Sequence, residues 1–200
     1  FVFVIFAGAL SIGVHLLSLL TFPALALFYY FKKYKQHTIW GMAIAAGIGA
    51  LIMGAIQSVV ITGIATVWRQ MELLTVNVMG LPFHSGFIPT MILLAAIFIF
   101  GLRHARSESK FDLAGLAIST TVFLLFAYGM KALIILPVVY LIFRFGLQKA
   151  ERHMKQVFMV SGLMAVVGFS TIGVIVVRAN ADPAINMNRP SDSIRLLSYV

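Results

Sequence analysis

Four ionisable residues stand at the ends of apolar runs, where a polar side chain can meet a ligand at a membrane surface: His15, His84, Lys131 and Arg178. Lys131 lies in "AYGMKALIIL", between two apolar runs with almost no loop. An ionisable group at such a depth is costly and often functional. The competing reading is that its long stem snorkels to the surface. Arg178 closes the last apolar run and carries the same two readings. Together they suit a phosphate, Arg as a bidentate fork and Lys as a point charge. His15 and His84 read either as satisfied interfacial histidines or as ligand contacts.

Other chemistry has little footing. The five His are scattered, with no i, i+4 pair, no H-E-x-x-H and no Walker loop. We therefore expect no metal site and identify no cofactor. His37, His104 and His153 fall in basic loops and read as solvated. The chain has no Cys, which excludes disulfides and thiolate metal sites within it. Of its six acidic residues, Glu108, Asp112 and Glu151 lie among basic residues and read as charge balance. Only Glu72, Asp182 and Asp192 remain as bases at the opposite end, and their loose spacing defines no two-carboxylate constellation.

The elements that hold these residues follow from composition. Of 200 residues 61% are hydrophobic and 10% charged, against about half and a quarter in soluble domains. So much apolar side chain requires a bilayer rather than a water-facing surface. The expected fold is an all-α, polytopic transmembrane helix bundle. Apolar segments cover roughly 1–31, 39–67, 85–102, 113–130, 132–145 and 157–177. The formal charge of +9 would suggest nucleic acid in a soluble protein. Here Lys and Arg concentrate in loops 32–38, 103–112 and 144–156, which the positive-inside rule places in the cytoplasm. Loops 68–84, 128–132 and 178–200 are then outside, and all six agree on one orientation. The expected partner is the lipid bilayer, not nucleic acid.

The first segment is too long for one straight span, and Gly8 and Gly13 predict a tight turn near 8–13. His15 then lies about 25 Å along the helix from Lys32, near the outer surface, and Pro23 predicts a kink between them. In the second segment Ala46, Ala50, Gly54, Ser58, Thr62 and Thr66 recur every four residues, with Gly41, Ala45 and Gly49 in a neighbouring row. Small residues at that spacing pack membrane helices backbone to backbone, so the ridge predicts a helix deep in the bundle. The loop "NVMGLPFHSGFIP" (Asn77–Pro89) combines turn residues with Leu81, Phe83 and Phe87, and reads as a lip over a cleft or as an amphipathic connector. The organisation is a transmembrane domain over 1–177 and the start of an ordered outer segment over 178–200. In that segment Pro183, Pro190, Asn186 and Asn188 favour turns, while Ile185 and Met187 alternate with the Asn. The chain opens on Phe1 inside an apolar run, so we expect a piece of a longer protein.

Three stretches carry a resemblance: "GALSIGVHLLSLLTFPALALFYYFKKY" (Gly8–Tyr34), "NVMGLPFHSGFI" (Asn77–Ile88) and "GFSTIGVIVVRANADPAINMNRPSDSIRLLSYV" (Gly168–Val200). They resemble a family of bacterial transmembrane proteins, formerly a domain of unknown function, that is similar to a eukaryotic transmembrane protein O-mannosyltransferase. The last stretch is the most specific. The resemblance implies a fold of the GT-C glycosyltransferase superfamily in the bacterial inner (cytoplasmic) membrane. It also implies transfer of a sugar, in these relatives mannose, from a polyprenyl-phosphate donor to Ser or Thr of a secreted or envelope protein. The catalytic acid of that family is expected upstream of residue 1. Within this chain the implied contacts to donor phosphate or substrate are Arg178, Lys131, His15, His84 and Asn180.

Two other classes compete. A transporter or flippase of lipid-linked substrates predicts inverted repeats and broken helices meeting at the midplane; Gly8–Gly13 offers an interruption, but no second half mirrors it. A non-catalytic scaffold subunit of an envelope complex needs neither.

Overall fold

The structure, a computed structural model, describes residues 2–145, 149–186 and 188–200, Ile142 by its backbone alone. Every regular element among them is helical. In order these are α1 (Val2–Val14), a 3₁₀ turn (Leu16–Leu20), α2 (Thr21–Lys33), α3 (Ile39–Ala55), a π-helical stretch (Ile56–Gly63), α4 (Ile64–Leu73), a second π stretch (Leu74–Val78), α5 (Phe87–Ser107), α6 (Lys110–Tyr128), α7 (Ala132–Phe145), α8 (Arg152–Phe169), α9 (Gly173–Asn180) and α10 (Ser193–Tyr199). Among the described residues four continuous runs are long and apolar enough to cross a membrane: Ile39–Val78, Phe87–Ser107, Lys110–Phe145 and Arg152–Asn180. The chain is an all-α polytopic bundle.

Gly8 and Gly13 do not turn the chain; both lie inside α1. Gly13 is used for close approach. A Cβ there would stand 2.1 Å from Thr171 Oγ1, and one on Gly168 would stand 2.8 Å from Ala9 Cβ, Leu10 N and Phe6 O. Ala9 meets Gly168 and Gly13 meets Thr171, so α1 and α8 run in the same direction. The break comes two residues later than the glycines, at His15, whose backbone is extended (φ −150°, ψ 113°). Hydroxyls bridge it: Ser11 and Ser18 Oγ lie 2.8 Å apart, and Thr21 Oγ1 donates to Ser18 O at 2.7 Å. Pro23 makes no mid-helix kink. It sits in the first turn of α2, where its missing N–H is least costly.

The second segment continues well past Val67, through Arg69 and Glu72 to Val78, so the expected loop 68–84 shrinks to 79–86. Its packed face is the neighbouring row. Ala45 and Gly49 are buried, and a Cβ on Gly49 would lie 2.5 Å from Pro23 Cα of α2. On the expected ridge Ala50, Gly54 and Ser58 are exposed, and Ala46, Thr62 and Thr66 reach half-burial but none is buried. The π stretch is steadied from the side: Tyr128 Oη of α6 donates to Ser58 O at 2.8 Å, and Thr62 Oγ1 to Gln57 O at 2.7 Å.

The run Lys110–Phe145 is a hairpin. Gly129 adopts φ 56°, ψ −134°, a backbone open to glycine. Beyond it α7 returns along α6, so that the Phe143 ring lies 6.3 Å from His104 at the end of α5. This basic end is tied by ion pairs. Arg103 Nε meets the buried Asp112 at 3.0 Å, and the nearly buried Lys155 meets Glu108 at 2.9 Å. His104, read as solvated, is buried instead. Its Nδ1 donates to Ser109 O at 3.0 Å, because the tight α5–α6 turn folds that carbonyl over the ring.

Two apolar cores result. Ile12, Leu19, Ile61, Phe169, Ile172, Val176 and Leu196 form the first. Val67, Met71, Leu94, Phe123, Leu124 and Ala132 form the second. Helix α4 serves both, through Trp68 on one side and Val67 and Met71 on the other.

Two outcomes follow from this packing. Gly168→Ala lowers the thermal midpoint in detergent, with overpacking costing roughly 1–3 kcal/mol. Gly47→Ala, which meets nothing within 4 Å, leaves it unchanged or raises it through helix propensity. The hydrogen bond and charge of Lys155 hold the Glu108 carboxyl below its ordinary range against an opposing desolvation, with Arg152 and His104 adding to them. A depressed carboxylate stabilises above its unfolded pKa and stops doing so as pH falls through the folded one. The difference in thermal midpoint between wild type and Glu108→Gln is therefore present at neutral pH and vanishes on acidification below the carboxylate range.

Candidate functional site at the α4 end

Around α4 the chain gathers the break at His15, the loop 79–86, the end of α9, and α10. The loop is fixed by one carboxylate. Glu72 is 2% exposed; its Oε1 accepts from His84 N and its Oε2 from Gly86 N at 2.9 Å. A Cβ on Gly86 would lie 2.3 Å from Glu72 N, so glycine is required there. His84 is held at φ 74°, a left-handed conformation uncommon outside Gly, Asn, Asp and His. The sequence offers Glu72 as an available base; in the structure both its oxygens accept from backbone amides. The signal that was available is Gly86 following a lone acid in an apolar helix.

The segment after α9 is also ordered by side chain to backbone bonds. Helix α9 runs to Asn180, three residues beyond the expected end. Asn180 Nδ2 donates to Val176 O at 2.8 Å and to Ser191 O at 2.7 Å. Asn186 Nδ2 donates to Ala179 O at 3.0 Å. Asp192 Oδ1 caps α10 by accepting from Ile194 N and Arg195 N at 3.0 and 2.9 Å. A cap of this kind contributes about 1 kcal/mol. Leu196 of α10 then enters the first core. Ile185 is 80% exposed, and Met187 lies outside the described residues.

His15, His84, Lys131, Arg178 and Asn180 are all exposed, and no hydrogen bond or ion pair among the described residues joins any two of them. His15 and Arg178 sit on the first core, through Leu19 and Val176. His84 hangs from Glu72, its ring edge-on to Phe83 at 4.7 Å. Lys131 adjoins the second core through Ala132. Arg178 and Lys131 thus belong to different cores that share α4. Between α4 and the hairpin lies an open recess of about 500 Å³, lined by Gln70, Leu125, Phe126, Ala127, Tyr128 and Gly129. Asn180 has committed both amide protons to the backbone, which leaves its carbonyl oxygen for a ligand. Of the carboxylates at this end, Asp182 is open, 3.8 Å from Arg189.

The model of the family described as the protein O-mannosyl-transferase TMEM260 N-terminal domain matches residues 1–38. That segment is α1, the His15 break, α2 and the turn after it. No curated protein and no solved structure matches the chain. The match covers the first of the three stretches that carried the resemblance and neither Asn77–Ile88 nor Gly168–Val200.

The Glu72 clamp has a direct readout. Amide exchange at His84 and Gly86 is slow in wild type and about 10- to 100-fold faster in Glu72→Gln, the equivalent of one or two charge-assisted bonds. Equal protection in the variant contradicts the clamp.

Proposed function

We propose that this chain is the membrane part of a glycosyltransferase that moves a sugar, mannose as the reading stands, from a polyprenyl-phosphate donor to Ser or Thr of a protein, with a GT-C type of fold. The observation that carries it is the match of residues 1–38 to a protein O-mannosyl-transferase domain. The packing supports its extension to the rest of the chain. The matched segment lies against α8 through Gly13 and Gly168, and its Ile12 and Leu19 share a core with Val176 and Leu196. The part of residues 1–38 around the His15 break therefore lies at the same end of the bundle as Arg178.

In this reading the acceptor hydroxyl oxygen attacks the anomeric carbon. The bond from that carbon to the phosphate oxygen breaks, and the polyprenyl phosphate departs with the bonding pair. Arg178 sets a fixed positive charge beside the phosphate, where charge develops. Lys131, across α4, is the second cation. His15 and His84 are donors to sugar or phosphate, and Asn180 contributes its carbonyl oxygen. A general base must take the hydroxyl proton. Glu72 and Asp192 are occupied by backbone amides, and we place the base outside these 200 residues, as the resemblance implies. In the same reading the α4 end faces the outer side of the bacterial inner membrane, and the acceptor is a secreted or envelope protein.

The test is transfer of mannose from polyprenyl-phosphate mannose to a Ser/Thr peptide by the full-length protein in detergent. Wild type transfers; Arg178→Ala loses about 10²-fold in rate, and Arg178→Lys retains part of it. Undiminished transfer by a folded Arg178→Ala variant removes Arg178 from the mechanism. Movement of the lipid-linked sugar across vesicles without transfer favours the flippase reading instead.

A further inference from the structure

The cations at the basic end are of two kinds. Three of those around the α5–α6 turn have acids: Arg103 pairs with Asp112, and Lys155 and Arg152 with Glu108. Those of the α2–α3 turn have none. No Asp or Glu occurs before Glu72, and among the described residues no acid pairs with Lys32, Lys33 or Lys35. All three are exposed.

Their turn is nevertheless built. Tyr30 Oη accepts from Thr38 N at 3.0 Å, and Thr38 Oγ1 caps α3 by accepting from Gly41 N at 3.0 Å. A Cβ on Gly41 would come within 2.2 Å of Tyr30 Oη, so a glycine admits the ring. Tyr30 also packs against Tyr34 at 5.3 Å and His37 at 5.8 Å. Lys33 Nζ stands over the Tyr29 and Tyr34 rings at 5.5 and 5.8 Å. Next to this turn Trp40 is 80% exposed, Ile39 79% and Tyr29 61%.

Exposed Trp and Tyr beside Lys, at the end of an apolar helix, mark the level of the lipid headgroups. There three lysines without counter-charges require anions. A polybasic cluster beside a membrane helix attracts anionic lipid, and a rigid turn bears no ordering cost on contact. We propose that the α2–α3 turn is a binding site for anionic phospholipid headgroups, with Lys32, Lys33 and Lys35 contacting the phosphates and Trp40 and Tyr29 setting the depth. This site is independent of sugar transfer and lies on the opposite end of α3 from α4.

Trp40 reports on it directly. The full chain carrying Trp68→Phe, which leaves Trp40 as the single Trp, is placed in mixed phosphatidylglycerol and phosphatidylcholine bilayers. Bromines are carried by one lipid class at a time. The expected result is about threefold stronger quenching of Trp40 by brominated phosphatidylglycerol than by brominated phosphatidylcholine at equal mole fraction. High salt reduces the excess. It is lost in Lys32→Gln/Lys33→Gln/Lys35→Gln and partly lost in Lys35→Gln alone. Inorganic phosphate has no more effect than chloride at equal ionic strength if lipid is the ligand; selective release by phosphate assigns the site to a soluble anion and overturns the proposal. Equal quenching by the two lipids, or an excess that survives the triple substitution, also overturns it. Should Trp68→Phe fail to fold, the difference between wild type and Trp40→Phe gives the same quantity.

Discussion

In the hydrocarbon of a bilayer, a backbone N–H or C=O without a partner costs several kcal/mol, and the departures from regular helix in this chain are organised around that cost. Serine and threonine hydroxyls bridge the extended residue His15. Where the second segment widens into π turns, Thr62 and Tyr128 hydroxyls take up the Gln57 and Ser58 carbonyls. A carboxylate gathers the amides of His84 and Gly86, and two asparagines and an aspartate do the same for the segment between α9 and α10. Such polar residues in apolar surroundings easily pass for ligand contacts. Several of them instead complete the backbone.

The same constraint explains how the bundle is held. Lipid tails are as apolar as leucine, so helix association rests on close approach rather than on exclusion of water. Glycine contacts provide it, α1 with α8 at Gly13 and Gly168, α2 with α3 at Gly41 and Gly49, and α5 with α8 and α6 at Gly101 and Gly115. Helix α4 then joins the two cores and presents its end residues to the loop 79–86 and to α10.

The sequence made the helical class and most of the apolar segments legible, because hydropathy is a local signal. The face used in packing was not legible. Rows Ala46–Ala50–Gly54 and Ala45–Gly49 sit one residue apart on the same helix, and the choice between them was made by Tyr30 and Pro23 of another helix. The break at His15 was displaced from the glycines for a similar reason, since Gly13 was needed against Gly168 and Thr171. The role of Glu72 was not legible, because its two amide partners lie 12 and 14 residues away along the chain. Of the candidate site, the positions of His15, Arg178 and Asn180 at one end were foreseeable; the separation of Arg178 from Lys131 across α4 depends on which core each joins.

The helix beyond Glu72 carries one more consequence. Gly86 lies beside Glu72, so α5 begins at that level, while the helix continues beyond it to Val78. At that crest Val78 is 76% exposed, Met79 61% and Phe83 51%. Bare apolar side chains of this size do not remain in water; they pull the interfacial layer of the bilayer up around themselves and so act as a depth gauge for this end of the protein. Glu72, 2% exposed, is shielded from water, and in such low-dielectric surroundings its bonds to two amides are stronger than at a wet surface. The crest thereby insulates the charge that holds the loop from which it is built.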